Sequence, residues 1–183
     1  MTHAVVASFG GIVFTKKRMP FRFWYLAIVC SIIPDADVIG FYFEVQYGDF
    51  FGHRGFFHSI FFALVLSIVV VFAFLRDGKV FSKGKWKYIL FFFTVMASHG
   101  LLDAFTNGGL GIALLSPFDN TRYFSPWTPI MVSPISLGAF LSHWGFRVIV
   151  CEIIYVWLPL LTFLLVFRTA RSKFGRQFET RGG

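Results

Sequence analysis

Three stretches of this chain, residues 56–75, 86–105 and 148–167, are almost continuously apolar. Each is about the twenty residues that an α-helix needs to cross a hydrocarbon core. A fourth stretch, 23–43, is equally apolar but carries Pro34, Asp35 and Asp37. It is expected to be a helix that breaks part-way, which a membrane tolerates only where the break is buried in protein or lines a cavity. With 56% hydrophobic residues and 27 phenylalanines in 183, the chain has more apolar surface than a soluble domain of this size can bury. The expected fold is an all-α membrane protein of about four transmembrane helices, one domain over 1–167 followed by a basic cytoplasmic tail, 168–183. Residues 3–14 are too short to span and read as an N-terminal half-helix, in which Gly10 and Gly11 allow close helix contact. Residues 106–146 hold most of the remaining Gly, Pro, Asn and Ser and are expected to form an outer interfacial loop with short helices. The N-terminus lacks the ordered blocks of a cleavable signal, so no processing is expected. Cys30 and Cys151 lie in apolar runs, where a thiol behaves as a small hydrophobe.

The excess of 17 Lys and Arg over 9 Asp and Glu is a matter of position before it is a matter of partners. Lys16, Lys17, Arg18 and Arg22 form one block, Arg76, Lys79, Lys83, Lys85 and Lys87 a second, and Arg168, Arg171, Lys173, Arg176 and Arg181 a third. All fall on one side if the four spans alternate in direction, and the positive-inside rule makes that side cytoplasmic. The basic blocks are then an orientation signal with an affinity for anionic lipid, and no nucleic-acid partner is expected. Arg54, Arg122 and Arg147 remain on the other side, together with most of the acidic residues.

Ionisable groups inside membrane segments are costly, about 2.5–3.5 kcal/mol each on insertion scales, and so mark function by default. The same topology brings Asp35 and Asp37 in the first span, His53 and His58 before the second, and His99 and Asp103 at the end of the third to one depth. His3 joins them if the N-terminus is outside. His99 and Asp103, four apart, share a helix face. His53 and His58, five apart, would diverge by about 140° on a continuous helix, so one of them belongs in the preceding loop. Asp35 and Asp37, two apart, diverge in regular structure, and Pro34 supplies the break they would need to act together. Imidazole and carboxylate donors without cysteine suit a divalent transition metal, one or two ions, zinc first with manganese or iron as alternatives. Such a site performs metal-assisted hydrolysis. Asp37, His58 and Asp103 are the candidates for proton transfer, and Arg54 and Arg122 for holding an anionic ester such as a phosphate. The competing readings are a cation or proton-coupled transporter and a scaffold stabilised by a structural metal.

The blocks Thr2-His3, Pro34-Asp35-Ala36-Asp37, His53-Arg54-Gly55-Phe56-Phe57-His58-Ser59, Ser98-His99, Asp103-Ala104-Phe105-Thr106-Asn107-Gly108-Gly109 and Ser116-Pro117-Phe118, in that order, resemble the LexA-regulated inner-membrane metal-dependent hydrolases of bacteria. The resemblance covers about the first two-thirds of the chain. It implies a bacterial inner-membrane hydrolase, and the orientation set by the basic blocks would put its site on the periplasmic side and its C-terminus in the cytoplasm. It also implies His3, Asp35, Asp37, His53, His58, His99 and Asp103 as metal-site residues. A more distant likeness to helical zinc-dependent phospholipase C enzymes favours a phosphoester, carried by a membrane lipid or a lipid-linked molecule.

Overall fold

The computed structural model describes residues 2–15, 18–75 and 83–179, with the side chains of residues 83, 137 and 171–179 left out. Lys16, Lys17, Arg76, Lys79 and Arg181 of the basic blocks therefore lie outside the described residues, as do the side chains of Lys83, Arg171, Lys173 and Arg176.

Helix α1 runs Thr2–Phe14, α2 Phe21–Ile32, α3 Ile60–Phe74, α4 Lys83–Ala104, the short α5 Leu137–Phe140, α6 His143–Glu152 and α7 Leu158–Glu179. A 3-10 segment, Ile33–Phe43, continues α2, and a π turn, Ile153–Trp157, joins α6 to α7. Among the described residues there are no strands, only two isolated bridges, Thr106 with Ile130 and Ile112 with Tyr123. The all-helical expectation holds. Two helical runs, Phe21–Phe43 and His143–Ala170, are long and apolar enough to cross a membrane, while α1 and α3 are shorter apolar helices. Helix α4 matches the expected third span closely, but three lysines lie in or near its first turn. Helix α7 continues through residue 167, where the sequence suggested that a tail begins.

α1, α2, α3 and α4 pack around a shared apolar core that includes Ala7, Phe23, Ala27, Val71 and Phe92, all fully buried. Gly11 brings α1 against α2: a Cβ there would stand 2.5 Å from the Trp24 ring, as the small-residue pair in the sequence suggests. The outer surface is inverted relative to a soluble protein. Phe61, Leu64, Val65, Ile68 and Val69 of α3 and Leu161, Phe163, Leu165 and Val166 of α7 are exposed, a continuous apolar covering suited to lipid tails.

The boundaries that differ from expectation have local causes. α3 starts at Ile60 because the Ser59 hydroxyl accepts the Phe62 N–H at 3.0 Å and caps it; the preceding Phe56–His58 is a separate 3-10 turn. The first span does break near Pro34, by tightening from α to 3-10 at Ile33. The last helical run starts at His143, five residues before the expected 148, where Ser142 accepts the Trp144 N–H.

Candidate metal centre

Helix ends gather the site. α1 contributes its first turn, the α2 extension its 3-10 segment, α3 the turn before it and α4 its last turn. The near end of each is thus the end remote from Arg22 and Lys85, which lie over the Phe74 and Phe72 rings at the far end of α3.

One group of ligand-competent atoms comprises Asp35, His58, His99 and Asp103. His99 Nε2 is 3.2 Å from Asp35 Oδ1, 3.2 Å from His58 Nε2 and 3.7 Å from Asp103 Oδ2. His58 Nε2 is 3.7 Å from Asp35 Oδ1 and 3.5 Å from Asp103 Oδ2. Bonds of about 2.0–2.1 Å to a tetrahedral ion put neighbouring ligand atoms about 3.3–3.4 Å apart, so these spacings leave room for one divalent ion between them. The tautomer is also set for ligation. His99 Nδ1 donates to the carbonyl of Ser31 at 2.7 Å, which leaves its Nε2 lone pair facing the group. Pro34 accounts for that carbonyl: in the 3-10 register it would be the partner of residue 34, and proline has no N–H to give.

A second group, Asp37 with His53 and His58, adjoins the first through the two nitrogens of the His58 ring, Nε2 toward the first group and Nδ1 toward Asp37. Asp37 Oδ1 accepts His53 Nδ1 at 2.6 Å, and its Oδ2 accepts the Arg54 backbone N–H at 3.1 Å. His58 Nδ1 is 3.1 Å from Asp37 Oδ2 but lies off the hydrogen-bond line, so it counts among the unpartnered buried polar atoms with His3 Nδ1 and Arg54 Nε. Asp35 and Asp37 therefore serve different groups, as carboxylates two apart on a segment turning about 120° per residue must. His53 lies in the loop and His58 in the 3-10 turn, the division that their spacing requires. Gly100 lets the turn come this close, since a Cβ there would meet the His58 carbonyl oxygen at 2.5 Å.

His3 sits at the edge. Its ring stacks on His99 with centroids 3.6 Å apart, and its Nε2 is 3.4 Å from Asp103 Oδ1, the oxygen facing away from the four-atom group. Arg54 is buried, with a positive φ of 66°. Its Nε lies 3.6 Å from Asp103 Oδ2 and its Nη1 donates to the Gly108 carbonyl at 2.6 Å. Arg122 is directed elsewhere: it donates to the carbonyls of His53, Tyr47 and Asp49 at 2.9, 3.0 and 3.1 Å. These bonds clasp the loop that carries His53.

The group opens on a cavity of about 470 Å³. Asp35, Asp103, His3, His53 and Arg54 face it, whereas His58, His99, Asp37 and Arg122 do not line it. The opposite wall comes from residues 130–135 of the long loop and from Glu152 at the end of α6. Tyr47 and Thr106 also line it. Burial pushes the Tyr47 phenol upward, which keeps it a neutral hydrogen-bond donor at neutral pH. Neither Tyr47 nor the 130–135 wall stood out in the sequence, because an aromatic or apolar residue in a loop has no spacing signature. Of the ionisable residues of α6, Glu152 reaches the cavity, while His143 and Arg147 are exposed and do not line it.

The donor set, the fixed His99 tautomer and the orphaned ring nitrogens fit a bound cation. Inner membrane protein YbcI of Escherichia coli (strain K12) is 40% identical over 159 residues, covering 87% of this chain and 90% of the relative. No solved structure matches the chain significantly. The model of the YdjM inner membrane protein family matches residues 1–174, which takes in most of the last helix and so extends well past the two-thirds that the sequence motifs covered. This chain belongs to the YdjM inner membrane protein family.

Proposed function

We propose that the protein is a membrane-embedded, metal-dependent hydrolase that cleaves a phosphoester of a lipid or lipid-linked substrate. The observation that carries this reading is the set of four ligand atoms within 4.8 Å of one another, the two imidazole nitrogens lying 3.2–3.7 Å from each other and from both carboxylates, beside a cavity that a buried arginine faces. Asp35, His58, His99 and Asp103 would hold the ion, with zinc the first choice for two imidazoles and two carboxylates. A divalent ion in that position supplies Lewis acidity and lowers the proton affinity of water.

The remaining chemistry belongs to the chain. Asp37, which does not line the cavity, orients the His53 ring directly and lies against His58, acting through them instead of touching substrate. Asp103 Oδ1, with His3 Nε2 beside it, is placed to accept a proton at the cavity wall. Arg54 offers its guanidinium to an anionic ester from a position where little water competes. His53 and Asp37 would supply part of a second ion's ligands if two ions are bound.

The orientation follows from charge. Arg18, Arg22, Lys85, Lys87 and Arg168 lie toward the helix ends remote from the site. The positive-inside rule puts those ends in the cytoplasm, in contact with anionic lipid, and the site on the periplasmic side of a multi-pass protein.

The test is elemental analysis of purified protein combined with a phosphate-ester screen, each with and without chelator. About one or two transition-metal ions per chain and chelator-sensitive hydrolysis are expected. Carefully prepared protein without metal would remove the proposal, and metal flux into proteoliposomes would replace it with transport.

A further inference from the structure

A second cavity of about 390 Å³ lies in the cleft that α1, α4 and α7 share. It differs from the polar one in every chemical respect. Its lining is apolar apart from two hydroxyls, and both are already bonded within their own helix: Thr94 Oγ1 to the Leu90 carbonyl at 2.8 Å and Ser98 Oγ to the Val95 carbonyl at 2.7 Å. It presents no free hydrogen-bonding side chain to an occupant.

Its placement gives it meaning. On α1, Thr2 and His3 line the polar cavity, and Val6, Gly10 and Val13, about one, two and three turns further along the same face, line the apolar one. On α4, Asp103 lines the first, and Ser98 and Thr94 line the second. On the continuous run from α6 into α7, Glu152 at the end of α6 faces the first, and Leu160 and Leu164 of α7 face the second. The two cavities therefore follow one another along the same three elements. From His3 to Val13 is about 15 Å at 1.5 Å per residue, about half of a ~30 Å hydrocarbon core, which is the depth of a single leaflet.

Resting on the hydrolase reading above, we infer that the α1–α4–α7 groove is the subsite for the hydrocarbon chain of an anionic single-leaflet lipid, whose phosphate head reaches Arg54 and the metal centre. The charge pattern supports a lipid over a protein helix or a second copy. A cationic guanidinium lines the first cavity, and the second, next along the same helices, is apolar but for two hydroxyls bonded within their own helix, which is the polarity of one amphiphile with its head toward the site.

The probe is phosphatidic acid with a photoreactive diazirine in its acyl chain, at trace level in nanodiscs of neutral phosphatidylcholine. Phosphatidylcholine with the same diazirine reports unselective tail contact. The variants are Gly10→Leu and Thr94→Phe, which fill the groove from two sides. Thr94 is exposed, and a Cβ at Gly10 meets only the Phe91 ring at 3.8 Å, so both should fold, with thermal stability and metal content as the check. The phosphatidic acid probe should label α1 and α4 peptides about tenfold more than the phosphatidylcholine probe, and each variant should remove most of that excess. Equal labelling by the two probes, labelling unchanged in both variants, or crosslinks between two copies of the chain would overturn the inference. Turnover separates it from the parent reading. The variants should raise KM about tenfold for a long-chain phosphoester and leave a soluble short-chain ester unaffected. Hydrolysis of both esters unaltered by the variants removes the subsite alone, whereas no hydrolysis of either in metal-loaded protein removes the hydrolase and leaves the crosslinks to stand as lipid binding.

Discussion

His99 donates from Nδ1 to the Ser31 carbonyl and presents Nε2 to His58 Nε2 at 3.2 Å. Two imidazole nitrogens in that relation, with Asp35 and Asp103 oxygens within 3.7 Å, are arranged to share a cation. Replacing His99 or Asp103 with Ala should reduce bound metal from about one ion per chain to about a tenth of that or less. Inductively coupled plasma mass spectrometry on matched preparations measures this, and retention of full metal by both variants would show that the ligands lie elsewhere.

Pro34→Ala tests the origin of the His99 orientation. The new N–H can bond the Ser31 carbonyl and compete with His99 Nδ1. Loss of such an outer hydrogen bond typically weakens metal binding about 10- to 100-fold. Competition against a chromophoric chelator should show weaker binding without loss of the fold by circular dichroism. An affinity equal to that of the unaltered protein would show that Pro34 has no part in setting the ring.

At Gly100 the constraint is space. An added methyl meets the His58 carbonyl oxygen at 2.5 Å, so either α4 or the Phe56–His58 turn must move. Gly100→Ala should destabilise by about 1–3 kcal/mol and release metal more readily, because His58 moves with its turn. Thermal unfolding followed with and without added zinc reads both effects, and unchanged midpoints in both conditions would contradict the packing argument.

Arg54 and Arg122 should separate cleanly. Arg54→Gln removes the one guanidinium that, among the described residues, faces the cavity and should lower kcat/KM on an anionic ester by about a hundredfold, with partial recovery in Arg54→Lys. Arg122→Gln breaks three bonds to loop carbonyls and should lower thermal stability while leaving kcat/KM within a few-fold of the unaltered protein. Equal kinetic losses in the two would assign Arg122 to substrate.

The positions where the sequence was legible are those where periodicity carries information. His99 and Asp103 lie four apart on a helix and do face one group, and the five-residue step from His53 to His58 correctly excludes one continuous helix. Pro34 marked the change of helix type. Legibility stopped where backbone groups do the holding. The Ser31 carbonyl that fixes His99, and the loop carbonyls that take up Arg122, have no side-chain signature. The π turn at Ile153–Trp157 was equally hidden, since hydropathy counts apolar residues but not the register that connects them. Length was the other obstacle: continuous apolar runs suggested four similar spans, whereas Ser59 trims α3 to 15 residues.

Helices α1 and α3 are 13 and 15 residues long, which gives them about 20 and 22 Å. A bilayer about 30 Å thick in its apolar region is longer than either, and lipids beside such short elements are drawn inward at a modest free-energy cost per ångström. Lipid phosphate groups on the side of the metal centre would then dip locally toward the ends of these helices, the same ends at which the imidazoles and carboxylates converge. A lipid could present its ester at that depth without leaving the membrane, so the thin belt itself would bring substrate and ligands level.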